Sequence, residues 1–250
     1  MITVLDVENT VTKRDNKLHL DPFELTNSLV MVGVLVEGSE PKHYTFDHVD
    51  YDCKYEYRKR DCAELQDILS KTTLLIAHNA QHDLMWLWET GFKYDGAVWD
   101  TMLAEYVLQR GQKQPLSLEA CAEQRDLKFK KQDTLKAYMK QGVAISEIPY
   151  EELKEYLYAD LRTTLALYYE QNLDFRDDSN RRLYPTIDLT METCTALARI
   201  YRTGFKVDRN ALEDVRLQFE KERDEISAEL TDHVAELMGD TPINLNSPEQ

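Results

Sequence analysis

The feature that most restricts the fold of this chain is a pair of acids set into its first apolar segment. Residues 2–7 (ITVLDV) read as a central β-strand, with one carboxylate, Asp6, inside the run and a second, Glu8, two positions on. A strand repeats every two residues, so the two side chains leave the same face. Two acids side by side on the inner face of a sheet are costly unless a metal or a base compensates them. The alternative is that the strand ends at Asp6 and Glu8 is solvated.

The rest of the chain supplies a sheet for that strand. Residues 29–36 (LVMVGVLV), 43–46 and 72–77 (TTLLIA) read as further strands, and the last runs straight into a helix start, HNAQHDLMWLW. Residues 62–70, 100–108 (DTMLAEYVL) and 116–124 have helical spacing, and residues 150–173 form a long helix free of Pro and Gly. Strands first and then strand–helix alternation predict an α/β fold with a mixed sheet flanked by helices. The polar stretch 174–184, followed by Pro185, marks a boundary, so the expected domains are residues 1–176 and 185–250. The second is all-α. A helix over 187–202 is closed by Gly204, and Asp208 caps a helix of about 29 residues with Leu212, Val215, Phe219, Ile226, Leu230, Val234 and Leu237 on one stripe. Residues 246–250 (NSPEQ) read as the opening of one more helix, as if the chain were cut there.

Composition narrows the partners. With 30 Lys and Arg against 46 Asp and Glu, the net charge is -16. A broad basic face for gripping duplex phosphate is therefore excluded, and any nucleic-acid contact must be local or aided by bound cations. No apolar run approaches the ~20 residues of a membrane helix, and no signal peptide precedes the first strand. Cys53, Cys62, Cys121 and Cys194 form no C-x-x-C pair, so neither a zinc knuckle nor a disulfide framework is indicated. The expected setting is cytoplasmic, without a membrane partner.

Further acids stand where chemistry collects. Asp83 follows the strand 72–77, at the end where α/β sheets bind ligands, although an acid in a helix's first turn also serves the helix dipole. Asn79, one turn upstream, either caps that helix or faces a substrate. His78 and His82 are four apart, but no third ligand at zinc spacing accompanies them. Asp160 lies in EYLYADLRTTLALYY, on a helix whose Leu157, Leu161 and Leu165 are core-like, and Tyr156, four residues earlier, shares its face.

Taken together, D-x-E on the first strand, N-x-x-x-D after a later strand and Y-x-x-x-D on a long helix resemble the three motifs of the DEDD (DnaQ-like) 3′–5′ exonucleases. The resemblance covers roughly residues 1–173. It implies an RNase H-like fold in which Asp6, Glu8, Asp83 and Asp160 bind two divalent cations, Mg²⁺ with Mn²⁺ able to substitute, while Tyr156 orients the attacking water. Oxygen ligands suit such hard cations, whereas Cys or His would not. Without metal, four clustered acids repel, which raises their pKa values and splays them.

The segments DTMLAEYVL, LSLEACAEQ, IYRTGFKVDRNAL and NLNSPEQ are similar to the exonuclease domain and the start of the polymerase region of family A DNA polymerases, of the bacterial DNA polymerase I type and its phage relatives. That likeness implies a proofreading exonuclease releasing deoxynucleoside 5′-monophosphates from a single-stranded DNA 3′ end. Residues 185–250 would then be the helical beginning of the thumb region. The palm and fingers lie further on in that family, so no polymerase activity is expected of this chain, and a separately encoded polymerase half is a further partner that the likeness allows. The family usually has an aromatic residue before the second-motif Asp, where this chain has His82. Lys128, Lys130, Lys131, Lys136 and Lys140, interleaved with Phe129 and Tyr138, suit a single strand by phosphate neutralisation and base stacking, or else form a solvated helix face. Trp86, Trp88 and Trp99 are expected in the core. An RNA-trimming exonuclease of the RNase D kind shares all three motifs. A silent exonuclease fold kept as a polymerase scaffold would be marked by loss of one of the four acids, and none is lost.

Overall fold

The computed structural model describes residues 1–51, 55–127 and 133–239. Two compact units divide the chain, Met1–Thr203 and Gly204–Gln250.

In the first unit, β1 (Ile2–Asn9) is the middle of a five-stranded mixed sheet, in the order β5-β4-β1-β6-β7. β4 (Leu29–Val36) runs antiparallel to β1 with Asp6 opposite Gly33 and Glu8 opposite Met31, and β5 (Lys42–Thr45) extends that side. On the other side β6 (Leu74–Ala77) and β7 (Ala97–Asp100) add in parallel, with Ala77 opposite Asp100. The strand β7 was not among the expected elements: its four residues lie directly before a helix, and the helix start at Asp100 masks them. A hairpin of β2 (Thr12–Arg14) and β3 (Lys17–His19) is a second addition, turned by Asp15 and Asn16 at φ 52° and 59°, the left-handed pair of a two-residue hairpin.

Helices cover both faces. α1 (Tyr55–Lys71), α2 (Ala80–Glu89) and α7 (Tyr184–Thr203) build one core, in which Leu5, Val7, Val32 and Val34 meet Leu65, Leu69, Leu84, Leu87 and Ala198. α6 (Tyr150–Arg176) lies on the opposite face, where Leu161 packs with Val4, Leu35 and Ile76, and Leu153 and Leu157 with Val30 and Met31. α3 (Thr101–Leu108), α4 (Leu118–Gln124) and α5 (Asp133–Lys140) connect β7 to α6. Trp86 and Trp88 are buried as expected, and Trp99 packs edge-on against Tyr168 and Phe175.

The first compact unit does not end at residue 176. Its boundary moves to Gly204 because α7 is bound into it: Met191 accepts the Asp100 backbone N–H, Arg199 pairs with Asp95 at 2.8 Å, and Arg202 pairs with Glu89 at 2.5 Å. The polar stretch before Pro185 is a surface turn between two helices of one unit. Gly204, at φ 62°, closes α7 as the sequence predicts. In the second unit, α8 (Arg209–Met238) is a 30-residue helix whose cap, Asp208, accepts from the backbone of Asn210 and Ala211. Residues 246–250 lie outside the described residues. Among the described residues no helix is long and apolar enough to cross a membrane.

Candidate active site

β1 does not stop at Asp6 but continues through Asn9. Its even-numbered residues face α6, as Val4 shows by packing on Leu161, and its odd-numbered residues enter the opposite core. Asp6 and Glu8 therefore both point toward α6, as the period of two requires.

Asp83 is placed by a gap in the sheet. β6 pairs with β1 only as far as Ile76 opposite Val4, so the next part of β1 has no strand neighbour on that edge. The Asp83 Oδ1 takes the place of one, accepting the Val7 N–H at 3.1 Å, and the residue is 2% exposed. The preceding turn puts Asn79 in the left-handed region, φ 72° and ψ 51°, with no capping bond from its side chain. The cap is supplied from β7: Asp100 accepts the N–H of Asn79 at 3.1 Å and of Ala80 at 2.8 Å. The side chain of Asn79 is left exposed.

Tyr156 and Asp160 sit one turn apart on α6, and their side chains interact. Burial raises the carboxyl pKa of Asp6 well above the ordinary range, and the charge of Asp160 adds to it. Glu8 is raised by burial and then by Asp6, Asp160 and Asp83; Asp83 by burial and then by Asp6 and Asp100. Asp160 is pushed up to about 6, chiefly by burial, with Tyr156 opposing the shift and Glu119 adding to it. The Tyr156 hydroxyl is pushed far up by burial and by Glu8, Asp160 and Asp6. The five residues that the motifs single out thus share one neighbourhood, and among the described residues no Lys or Arg offsets their charge there. Among the described residues, no three His, Cys, Asp or Glu side chains are drawn together tightly enough to enclose an ion as they stand. Burial raises all four carboxyl pKa values first, and the neighbouring carboxylates add to it at Asp6, Glu8 and Asp83. The donor chemistry, carboxylate oxygen with no thiolate, fits a hard divalent cation.

The two histidines have separate structural partners. His78 bonds Thr101 Oγ1 and the Leu116 carbonyl, each at 2.9 Å. The Asn9 amide donates to the carbonyls of Thr10 and Leu20, so its Oδ1 accepts from His82 Nε2 at 2.8 Å. That bond fixes the His82 tautomer, and burial lowers its pKa to about 4, leaving the ring neutral. Lys128, Lys130 and Lys131, with Phe129, lie outside the described residues. Tyr138 packs against the core that holds Leu153 and Leu157. Asn9, Gly33 and Asp100 belong to the site's framework but were not singled out in the sequence. Only Asp100, a capping residue type ahead of Thr-Met-Leu, carried a local signal.

A family model described as 3′–5′ exonuclease matches residues 33–172, more than half of the 250-residue chain. It includes Asp83, Tyr156 and Asp160 and begins after the strand that carries Asp6 and Glu8. No curated protein sequence matches at a significant level. Among solved structures, the apo form of a nuclease aligns at 15% identity and TM-score 0.58, over 83% of this chain and 88% of its own. Brucella melitensis NrnC bound to pGG aligns at 16% identity and TM-score 0.55, over 83% and 88%. The polymerase domain of Pol1 from M. smegmatis, in complex with DNA primer-template and dNTP, aligns at 16% identity and TM-score 0.61 over 99% of this chain; that match spans 35% of the Pol1 chain. At these identities the structural likenesses establish the fold.

Proposed function

The chain belongs to the 3′–5′ exonuclease family, and from that premise we propose that it is a metal-dependent exonuclease of proofreading type. It hydrolyses single-stranded DNA 3′ ends to deoxynucleoside 5′-monophosphates, as the exonuclease part of a family A DNA polymerase. The observation that carries the reading is the convergence of Asp6, Glu8, Asp83 and Asp160 beside Tyr156, with raised pKa values and, among the described residues, no Lys or Arg to balance them.

Those four acids would hold two divalent cations, Mg²⁺ or in its place Mn²⁺, which when bound activate a water and stabilise the leaving 3′ oxygen. The chain itself supplies placement. Asp6 and Glu8 are fixed by the register of β1 against β4, Asp83 by the Val7 N–H, and Asp160 by the packing of α6 on the sheet. Tyr156, its pKa raised by burial and then by the acids around it, stays protonated at working pH, so its O–H can position the attacking water. Asn79, exposed on its left-handed turn, and His82, Lys128, Lys130 and Lys131 are the proposed substrate contacts. The polymerase setting is supported by the extent of the Pol1 likeness, 99% of this chain against 83% for NrnC. DNA as substrate follows from that setting.

The test uses one 5′-labelled sequence as single-stranded DNA and as RNA, with Mg²⁺ or with chelator. Stepwise shortening of the DNA from its 3′ end, releasing mononucleotides and stopping with chelator, is the expected result. Preference for the RNA would replace this reading with an RNA-trimming one, and inertness toward both would leave a scaffold.

A further inference from the structure

We propose that Asp100 is a positioning residue for this site: one buried carboxylate caps α2 and α3 together and thereby fixes Asp83. The proposal rests on the reading of Asp83 as a cation-holding acid.

Asp100 is the last residue of β7 and stands opposite Ala77, the last residue of β6. Two parallel strands thus end at the same level; α3 starts at the residue after β7, and α2 starts after the two-residue turn His78–Asn79 that follows β6. Two helix N-termini open side by side, each with N–H groups that no helical carbonyl can satisfy. The Asp100 carboxylate lies between them at 0% exposure. Its Oδ1 accepts from Met102 at 2.9 Å and Leu103 at 3.2 Å at the start of α3, and from Asn79 at 3.1 Å before α2. Its Oδ2 accepts from Ala80 at 2.8 Å, and the Cys194 thiol approaches the same oxygen at 3.8 Å. The positive ends of two helix dipoles meet the buried charge.

A cap for α3 alone would need one oxygen, and Ser, Thr or Asn would serve. The second oxygen is what reaches α2, whose own N-cap residue, Asn79, is left-handed and caps nothing with its side chain. Thr101 reinforces the same turn, its Oγ1 lying 3.1 Å from the Ala77 carbonyl and 2.9 Å from His78 Nδ1. Asp83 follows Ala80 by less than one helical turn, so whatever sets Ala80 sets the approach of Asp83 to the Val7 N–H. The acid of the second motif is therefore held from both ends, by β1 through its own carboxylate and by β7 through its helix.

Two variants separate the roles. Asp100→Asn keeps an oxygen for α3 but turns an amide N–H toward the Ala80 N–H. Asp100→Ser gives α3 a favoured local cap and leaves nothing for α2, and it carries the test should the Asn variant fold poorly. Mn²⁺ binding is followed by electron paramagnetic resonance without nucleic acid, and amide exchange is read over residues 79–84 and 101–104. Mn²⁺ affinity should fall about 10- to 100-fold in each variant. In Asp100→Ser, exchange should quicken in the first turn of α2 while the start of α3 keeps its protection, and hydrolysis should recover as Mn²⁺ is raised. A merely destabilised protein would lose activity without shifting the half-saturating Mn²⁺ concentration. Wild-type Mn²⁺ affinity and wild-type α2 exchange in Asp100→Ser would overturn the proposal. Absence of Mn²⁺ binding by the wild-type chain would instead overturn the cation reading of Asp83, and the exchange pattern alone would then decide the role of Asp100.

Discussion

Gly33 should be the most sensitive apolar position near the site, although it carries no functional group. It lies on β4 directly opposite Asp6, beneath the helix that carries Tyr156 and Asp160. A Cβ at this position would stand 2.7 Å from Leu157 Cγ, 2.9 Å from Leu157 Cδ1 and 2.9 Å from Leu161 Cδ1. Carbon atoms pack at roughly 3.5–4.0 Å, so in Gly33→Ala something must retreat by about 1 Å. Both leucines are 0% exposed, and the nearest atom is a branch point rather than a mobile tip, so the retreat falls on α6. Overpacking of this kind costs about 1–3 kcal/mol. At roughly 2–4 °C per kcal/mol for a chain of this size, the unfolding temperature should drop by about 2–12 °C. Moving Asp160 and Tyr156 away from Asp6 by about 1 Å should slow hydrolysis by up to about 10²-fold. Calorimetry and a labelled single-strand assay read the two effects on one preparation. Adding Leu157→Ala removes two of the three clashes. The double variant should therefore be more stable than the sum of the single losses by about 1–3 kcal/mol. Wild-type stability and rate in Gly33→Ala would refute the claim that the helix-to-strand distance here sets the site.

Other outcomes follow from the charges. Asp6→Ala and Asp160→Ala should each abolish hydrolysis while circular dichroism shows the fold intact, since each removes an oxygen donor from a shared cluster; a double variant with unimpaired turnover would sink the assignment. Tyr156→Phe should slow turnover by ~10²–10⁴-fold, with Mn²⁺ affinity by titration calorimetry barely changed. The Asp160 carboxyl is raised from 3.8 to about 6 in the folded chain, so below pH 4 the folded state binds the proton at no disadvantage, and stability is lost as pH climbs through 6. Asp160→Asn should accordingly be the more stable protein at pH 8 but not at pH 4, by about 3 kcal/mol at most, in chelator-treated denaturant titrations. Mg²⁺ should narrow that gap by stabilising the wild type.

What could be read in the sequence was whatever repeats locally. The period of two put Asp6 and Glu8 on one face, and four-residue spacing put Tyr156 and Asp160 on one side of a helix; β1 and α6 bear this out. The hairpin has no sequence signature because TKRDNKLH is polar and its strands have three residues each. β7 has none either, because four residues are too few to show a period before α3 begins. The boundary near residue 176 rests on polarity alone, which marks a surface turn as readily as a linker. The contacts that bind α7 to Asp100, Asp95 and Glu89 join residues about 90–110 positions apart, and nothing local announces them.

The same distinction explains how the acidic site holds together before any cation arrives. Mutual repulsion should drive Asp6, Glu8, Asp83 and Asp160 apart, and among the described residues no Lys or Arg offsets it in their surroundings. Each acid is instead held by apolar packing or backbone bonds elsewhere on its own element. Asp6 and Glu8 alternate with buried Leu5 and Val7, Asp160 is next to Leu161 in the sheet-facing core, and Asp83 rides a helix whose first N–H groups are tied to β7. The stability that opposes the repulsion thus comes from the neighbours of the acids rather than from partners of their charges. Substitutions at those silent neighbours, Gly33 and Asp100 above all, should therefore disturb the site without removing a single functional group from it.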